Sequence, residues 1–312
     1  MLTPDAAPET HIIFAEALFP AHLSRTAMTD PLIRDVSDTA RWMAVYRARE
    51  TERDDAVFRD PFARELAGER GQRIADALTF TEENAWSFIA RTYLFDRFVT
   101  RLVQHGADMV VNLAAGLDTR PYRMALPASL RWVEVDLPDI LDYKEEILGD
   151  ARPACELERV RLDLSNEDGR RGLFADLGRR ASHAVVISEG LVIYLMAEAV
   201  GALARDLAGP PSFQHWALDL ASPGLMAMMK QSMGDAMNDA GAPFLFAPAE
   251  GPPFFSAHGW QPIEVRSLLK TAGKLGRLPL ALRMMAMLPE SDGAQGSRPW
   301  SAVCLFARHA PA

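Results

Sequence analysis

The sequence predicts an α/β protein: a doubly wound, mostly parallel, seven-stranded sheet with a helical N-terminal cap and a helical insertion. Three observations predict it. From about residue 108 short apolar runs alternate with helical stretches, the rhythm of a parallel sheet covered by helices on both faces. Successive runs close on a glycine-bearing turn and then on acidic residues. The residues before Gly106 lack that rhythm and read as helices.

Taken in order, residues 1–30 hold Pro, Ala and scattered aromatics and are open to an extra helix or an arm. "DTARWMAVYRARETERDDAVF" (38–58) mixes apolar and charged positions at helical spacing, with Asp38 or Thr39 as N-cap. "DPFARELAG" (60–68) puts Asp60 and Pro61 at a helix start and Gly68 at its end. "EENAWSFIARTYLFDRFVTRLVQHG" is a long amphipathic helix stopped by Gly106. Residues 1–105 are therefore assigned to the cap and 106–312 to the α/β core.

In the core, "DMVVNLA" is the first strand. "LRWVEVDLP" follows, ending on Asp136, then "LERVRLDLS", ending on Asp163, and "SHAVVISEG", ending on Glu189. "AEAVGALARDLAG" is a helix and "FQHWALDLA" a fifth strand; "GWQPIEVRS" and "WSAVCLFAR" supply two more. Residues 222–256, rich in Met, Gly and Pro, break the alternation and read as an insertion near the ligand edge, either a lid or ordinary helical core.

Composition narrows the function. The chain has 312 residues, 49% hydrophobic and 24% charged, enough for a sizeable core. A net charge of −9 without a long basic run argues against nucleic acid, whose affinity rests on phosphate contacts. Cys155 and Cys304 form no ligand pattern and read as reduced thiols of a cytoplasmic protein. No apolar run approaches the ~18 residues of a membrane helix, and "MLTPDAAPET" lacks the basic start of a signal peptide. The expected partner is a small molecule, with neither membrane nor metal; His215 beside its strand reads as structural.

"VVNLAAGLDTRPYRM" (110–124) places Gly116 just where a buried strand should end. Ligands of open α/β sheets bind beyond the carboxyl ends of the strands, where strand order reverses. Asp136 follows Gly116 by 20 residues, close to the interval at which an acidic residue meets a ribose diol. Taken singly, the glycine reads as a turn and Asp136 and Asp163 as helix caps. A carboxylate leaving the apolar run "AVVIS" is costlier to explain away. Their joint order favours a nucleoside-containing ligand. The turn reads A-A-G-L-D-T, with Ala114 and Thr119 where a dinucleotide site would carry glycines. A phosphate-free ligand such as S-adenosylmethionine fits it better, with Arg91 and Glu189 as candidates for its charged amino-acid end. A nicotinamide dehydrogenase is disfavoured by the same turn.

"VNLAAGLDTRPYRM", "WVEVDLPDILDYKEEIL", the "DL" pair at 163–164 and "SEGLVIYL", with "ARWMAVYRARE", "FRDPFA" and "RTYLFDRFV" upstream, resemble the leucine carboxyl methyltransferase family. That family includes bacterial polyketide O-methyltransferases of the tetracenomycin type. The resemblance runs from about Asp38 to Leu195. It implies a class I methyltransferase fold and S-adenosyl-L-methionine as methyl donor. It also implies that Arg91 pairs with the methionine carboxylate and that Gly116 lies under the methionine moiety. Asp136 would meet the ribose, Asp163 and Leu164 the adenine, and Glu189 the methionine end. Ala114 departs from the family's usual Gly. The segments before residue 38 and at 222–256 match no motif and are left to choose the acceptor. Tyr194 is placed to reach the acceptor or to pack at a helix start, and Arg120 or Arg123 to hold an acidic one. The expected reaction is O-methylation of a carboxylate on a small natural product or metabolite. A polyketide hydroxyl and a non-catalytic, cofactor-binding regulator stay open.

Overall fold

Each apolar run becomes a strand in the computed structural model, which describes residues 32–78, 85–289, 296 and 298–309. The strands are β1 (Met109–Leu113), β2 (Arg131–Asp136), β3 (Glu156–Arg161), β4 (Ala184–Ser188), β5 (Phe213–Ala221), β6 (Trp260–Ser267) and β7 (Ser301–Arg308). They form one sheet of order β3-β2-β1-β4-β5-β7-β6. The first five pair in parallel, while β7 runs antiparallel to both β5 and β6. The order reverses between β1 and β4, so the turn carrying Gly116 and the segment carrying Glu189 leave the sheet side by side. The continuous apolar character of β1 and β4 reflects burial of every residue in both.

Among the described residues three helices precede the sheet: α1 (Val36–Thr51), α2 (Ala63–Ala77) and α3 (Trp86–Gln104). Helix α3 lays Ala90, Leu94, Phe95, Phe98, Val99 and Leu102 on one sheet face, against Val110, Val185, Ile187 and Leu305. Burying a large apolar side chain contributes about 1.5–3 kcal/mol relative to leaving it exposed, so this face fixes α3, and Arg91 with it, over the strand ends. On the opposite face α6 (Glu167–Arg180) and α7 (Ala197–Ala208) bury Phe174, Leu177, Val200 and Leu203. The connections after β1 and β2 contribute α4 (Arg120–Arg123) and α5 (Pro138–Leu148).

The Met-rich segment forms α8 (Pro223–Asp239), started by Ser222, whose hydroxyl accepts the Leu225 N–H at 3.1 Å. Met226, Met233 and Met237 are buried with Trp42, Tyr46 and Phe58 from before the sheet. The loop after α8 is tied to the segment beyond β4: the N–H groups of Leu245 and Phe246 donate to the Ile193 carbonyl at 2.7 and 3.1 Å. Short helices α9 (Leu268–Lys274) and α10 (Leu280–Met287) follow β6.

Several local expectations change. The N-cap of α1 is Asp35, which accepts from the N–H groups of Ser37 and Asp38. The Asp38 side chain instead takes the Arg34 N–H and pairs with Arg70 at 2.7 Å. Gly68 does not end its helix; with φ +57° it kinks α2, which runs on to Ala77. β3 stops at Arg161, so Asp163 belongs to the turn after it. The expected arm or helix at 1–30 lies outside the described residues. Among the described residues no helix is long and apolar enough to cross a membrane.

Candidate active site

A cavity of about 1280 Å³ opens at the carboxyl ends of β1, β2, β4 and β5. Arg91, Gly116, Asp136, Asp163, Leu164, Glu189 and Tyr194 all line it. Ligand pockets commonly measure about 300–1,000 Å³, so the space exceeds what one nucleoside-sized ligand needs.

The floor is the turn after β1. Gly116 has φ +48°, and its N–H donates to Asp136 Oδ2 at 2.6 Å. The Leu137 N–H donates to Asp136 Oδ1 at 2.7 Å. These bonds hold the carboxylate at the strand end, with lone pairs to spare for a diol. Burial raises the Asp136 pKa above its ordinary value, against the pull of the two amides and Lys144. A Cβ on Gly116 would sit 3.4 Å from the Ala40 methyl, so the glycine suits both the left-handed backbone and the closeness of α1. Ala114, two residues earlier, has φ +52°, and among the described residues it is the non-glycine residue with positive φ.

Asp163 is exposed, and its Oδ1 accepts the Ser165 N–H at 2.8 Å. Beside it, the Leu164 carbonyl accepts from Arg170 Nη1 at 2.8 Å. Both residues lie on the same wall as Asp136.

The far wall is ionic. Glu189 sits between two arginines: Arg91 Nε donates to Oε1 at 3.1 Å and Arg120 Nη2 to Oε2 at 2.8 Å. Arg91 Nη1 also reaches Asp219 Oδ2 at 3.3 Å, and the Gly190 N–H donates to Asp219 Oδ1 at 2.7 Å. Burial opposes the charge on Arg91, but Asp219 and Glu189 outweigh it and raise its pKa. Tyr194 follows on a 3₁₀ turn and stacks on Phe244 at 5.9 Å; burial raises its phenol pKa, against the pull of Arg91.

Arg120 and Arg123, expected as a grip for an acidic acceptor, are both engaged by carboxylates of the protein. Arg120 is 3% exposed and spends its guanidinium on Asp96 (2.7 Å), Asp118 (2.9 Å) and Glu189. Arg123 takes both oxygens of Asp96 at 2.7 Å. Both border the cavity; Arg120 is engaged by protein carboxylates and backs Glu189, while Arg123 turns its two Nη groups to Asp96 and leaves its buried Nε without a hydrogen-bond partner among the described residues. Asp118 is held well down, at about 2: burial works to raise it, but Arg120, Lys144 and Arg123 prevail.

Asp219 is the site residue that sequence reasoning missed. The signal was present: "FQHWALDLA" carries an acid near its carboxyl end, as the second and fourth strands do. His215, on the same strand, points elsewhere: its Nδ1 lies 3.1 Å from His183 Nε2, and neither borders the cavity.

The cavity thus brings together a buried strand-end carboxylate at Asp136, the Asp163–Leu164 turn, and the Arg91 guanidinium with the carboxylates of Glu189 and Asp219. Comparison with known proteins identifies the family. The chain is 31% identical over 265 residues to a Frankia alni protein named as an S-adenosyl-L-methionine-dependent methyltransferase, covering 77% of this chain and 88% of that one. A Streptomyces coelicolor protein named for the same activity is 30% identical, over 83% and 92% of the two chains. The fold resembles a DUF574 family protein of Streptomyces avermitilis (TM-score 0.55, 19% identity, 86% and 97% covered). It also resembles a methyltransferase structure from Thermobifida fusca (TM-score 0.55, 17% identity, 89% and 96% covered). The profile described as leucine carboxyl methyltransferase matches residues 40–208. The chain thus belongs to the leucine carboxyl methyltransferase family and is an S-adenosylmethionine-dependent methyltransferase of class I fold.

Proposed function

We propose that the enzyme methylates the carboxylate of a small, largely apolar acid. The observation that carries this reading is the state of the carboxylates on the cavity wall. Glu189 is clamped by two arginines, Asp118 is held at about 2, and Asp136 accepts two amide N–H groups. Each of these three carboxylates is already engaged by donors of the protein. A carboxylic acid, with a reference pKa of about 4, arrives ionised and needs no base, whereas a phenol near 10 does. The family's description points to the same chemistry. The rest of the cavity supports an apolar acceptor: Met228, Met229, Met233, Met237, Phe244 and Phe246 line one side, a surface of adaptable shape.

In this reading Arg91 meets the carboxylate of the methyl donor, Asp136 its ribose, Asp163 and Leu164 its adenine, and Glu189 its methionine end. The donor supplies a methyl group on a sulfonium, displaced in line by the acceptor oxygen. The chain's own work is orientation and exclusion of water. Helix α8 and the loop tied to Ile193 shield the methyl, and the Tyr194 hydroxyl lies on the acceptor side.

The test is product chemistry with labelled donor and a panel of apolar acids and phenols. The expected product is a methyl ester released by mild alkali, formed at a rate nearly flat from about pH 6 to 9. An alkali-stable ether, formed at a rate rising through neutral pH, would overturn the reading in favour of a hydroxyl acceptor.

A further inference from the structure

The ionic wall is unevenly compensated. Among the described residues it sets four carboxylates, Asp96, Asp118, Glu189 and Asp219, against three guanidiniums, Arg91, Arg120 and Arg123. Asp96 holds Arg120 and both ends of Arg123, all at 2.7 Å. Asp118 has Arg120 at 2.9 Å and the Asn112 amide at 2.8 Å. Glu189 has two arginines. Asp219 has least in the way of cations: beyond the N–H groups of Gly190 and of its own backbone, it has a 3.3 Å contact to Arg91, which it shares with Glu189. Its side chain is 18% exposed and lines the cavity. Burial keeps its pKa above the ordinary value despite Arg91. A buried carboxylate short of a partner is costly, and a cation in the cavity would relieve the cost.

The methyl donor brings one carboxylate and two cationic centres, an ammonium and a sulfonium, for a net charge of +1. Methyl transfer breaks the methyl–sulfur bond, leaves the electron pair on sulfur and joins the methyl carbon to the acceptor oxygen. The sulfonium becomes a neutral thioether, and S-adenosylhomocysteine has no net charge. We propose that Asp219 is a specificity-determining residue that answers the sulfonium charge, so that the site holds the methyl donor more tightly than the demethylated product. Release of the product is then favoured by the chemistry itself: transfer restores the uncompensated carboxylate. The proposal rests on the donor assignment and not on which acceptor is methylated.

The experiment is calorimetric titration of the full chain with S-adenosylmethionine, S-adenosylhomocysteine and sinefungin, whose amine keeps a positive charge at the sulfur's place. The native protein should bind the two cationic ligands about tenfold more tightly than the thioether. Asp219→Asn keeps an oxygen for the Gly190 N–H and removes the charge; it should bring the three affinities within about threefold. A purely structural role would weaken all three ligands together and leave their ratio unchanged, which overturns the proposal. So does a native protein that binds the thioether as tightly as both cations, a result that needs no variant to fold. Binding of none of the three would remove the donor assignment beneath the proposal and the proposal with it.

Discussion

Two clusters of buried charge lie close together in this fold, and they differ in what closes them. Glu134, in β2, accepts from Lys144 Nζ at 2.7 Å and from Arg159 Nε at 2.9 Å. Arg159 continues to the Tyr122 hydroxyl at 2.6 Å and to Glu145 at 3.3 Å. Glu134 and Lys144 are completely buried, and none of these residues borders the cavity. The cluster around Glu189 uses the same pairing chemistry, yet Arg91, Asp118, Arg120, Arg123, Glu189 and Asp219 all border the cavity. The first set is saturated by the protein alone, so it ties β2, β3, α4 and α5 together. The second has a side turned to ligand space. What separates architecture from recognition here is completeness of pairing, since both clusters are buried.

Lys144→Met gives the largest expected effect and tests the closed cluster. It leaves Glu134 with Arg159 as its cation, and breaking a buried pair costs about 3–5 kcal/mol. Urea unfolding should show that loss of stability. Cofactor affinity of the folded variant should stay within about threefold of native. A large loss of affinity at native stability would erase the distinction between the two clusters.

Arg91→Ala tests the open cluster. It removes the shared partner of Glu189 and Asp219 and the proposed partner of the cofactor carboxylate. Affinity for S-adenosylmethionine should fall at least about 100-fold, roughly 2.7 kcal/mol, measured by calorimetry on protein whose circular dichroism is unchanged. Retained affinity would move the carboxylate contact to another residue.

Asp136→Ala should cost less, about 1.5–3 kcal/mol of cofactor affinity, the range for hydrogen bonds to a charged group. The variant also frees the Gly116 N–H that Asp136 now accepts, so an intact fold must be shown alongside. Unchanged affinity would place the ribose contact elsewhere.

The sequence made some of this legible for physical reasons. Apolar runs of strand length, each closing on an acid, express buried strands that deliver charge to one edge. That is why Gly116, Asp136 and Glu189 could be singled out without coordinates. Asp163 was legible as a residue but misplaced as a strand end, because "RLDL" continues the alternation two residues past the last residue of β3. The pairing of Arg120 and Arg123 was hidden for a different reason. Their partner Asp96 lies 24 and 27 residues earlier, on α3, and no local pattern announces a contact made across a packed helix. Asp219 was hidden inside an ordinary alternating strand until Gly190 and Arg91 were seen to meet it. The Met-rich segment was open between lid and core; three of its methionines prove to share a hydrophobic cluster with α1, a pairing distant in sequence.

The smallest expected effect concerns the turn where the first strand meets the cavity. Ala114 stands in that turn with a φ of +52°, a conformation that favours glycine. An L-residue in the left-handed region costs roughly 1–2 kcal/mol, a strain glycine does not feel. Glycine, however, leaves a more disordered unfolded chain, which costs about 0.4–1 kcal/mol of stability. Ala114→Gly should therefore stabilise the fold by only about 0.5 kcal/mol, read as a small rise in the urea midpoint at unchanged slope. Cofactor affinity should change less than twofold, because no charge is touched. Gly116→Ala in the same turn should act in the opposite direction. Its φ is +48°, so an added side chain is strained by the left-handed backbone, and the Ala40 methyl at 3.4 Å offers it only an ordinary contact in return. A stability loss at Ala114→Gly, or none at Gly116→Ala, would show that the turn adopts a different backbone in solution and that the Gly116–Asp136 hydrogen bond does not anchor it.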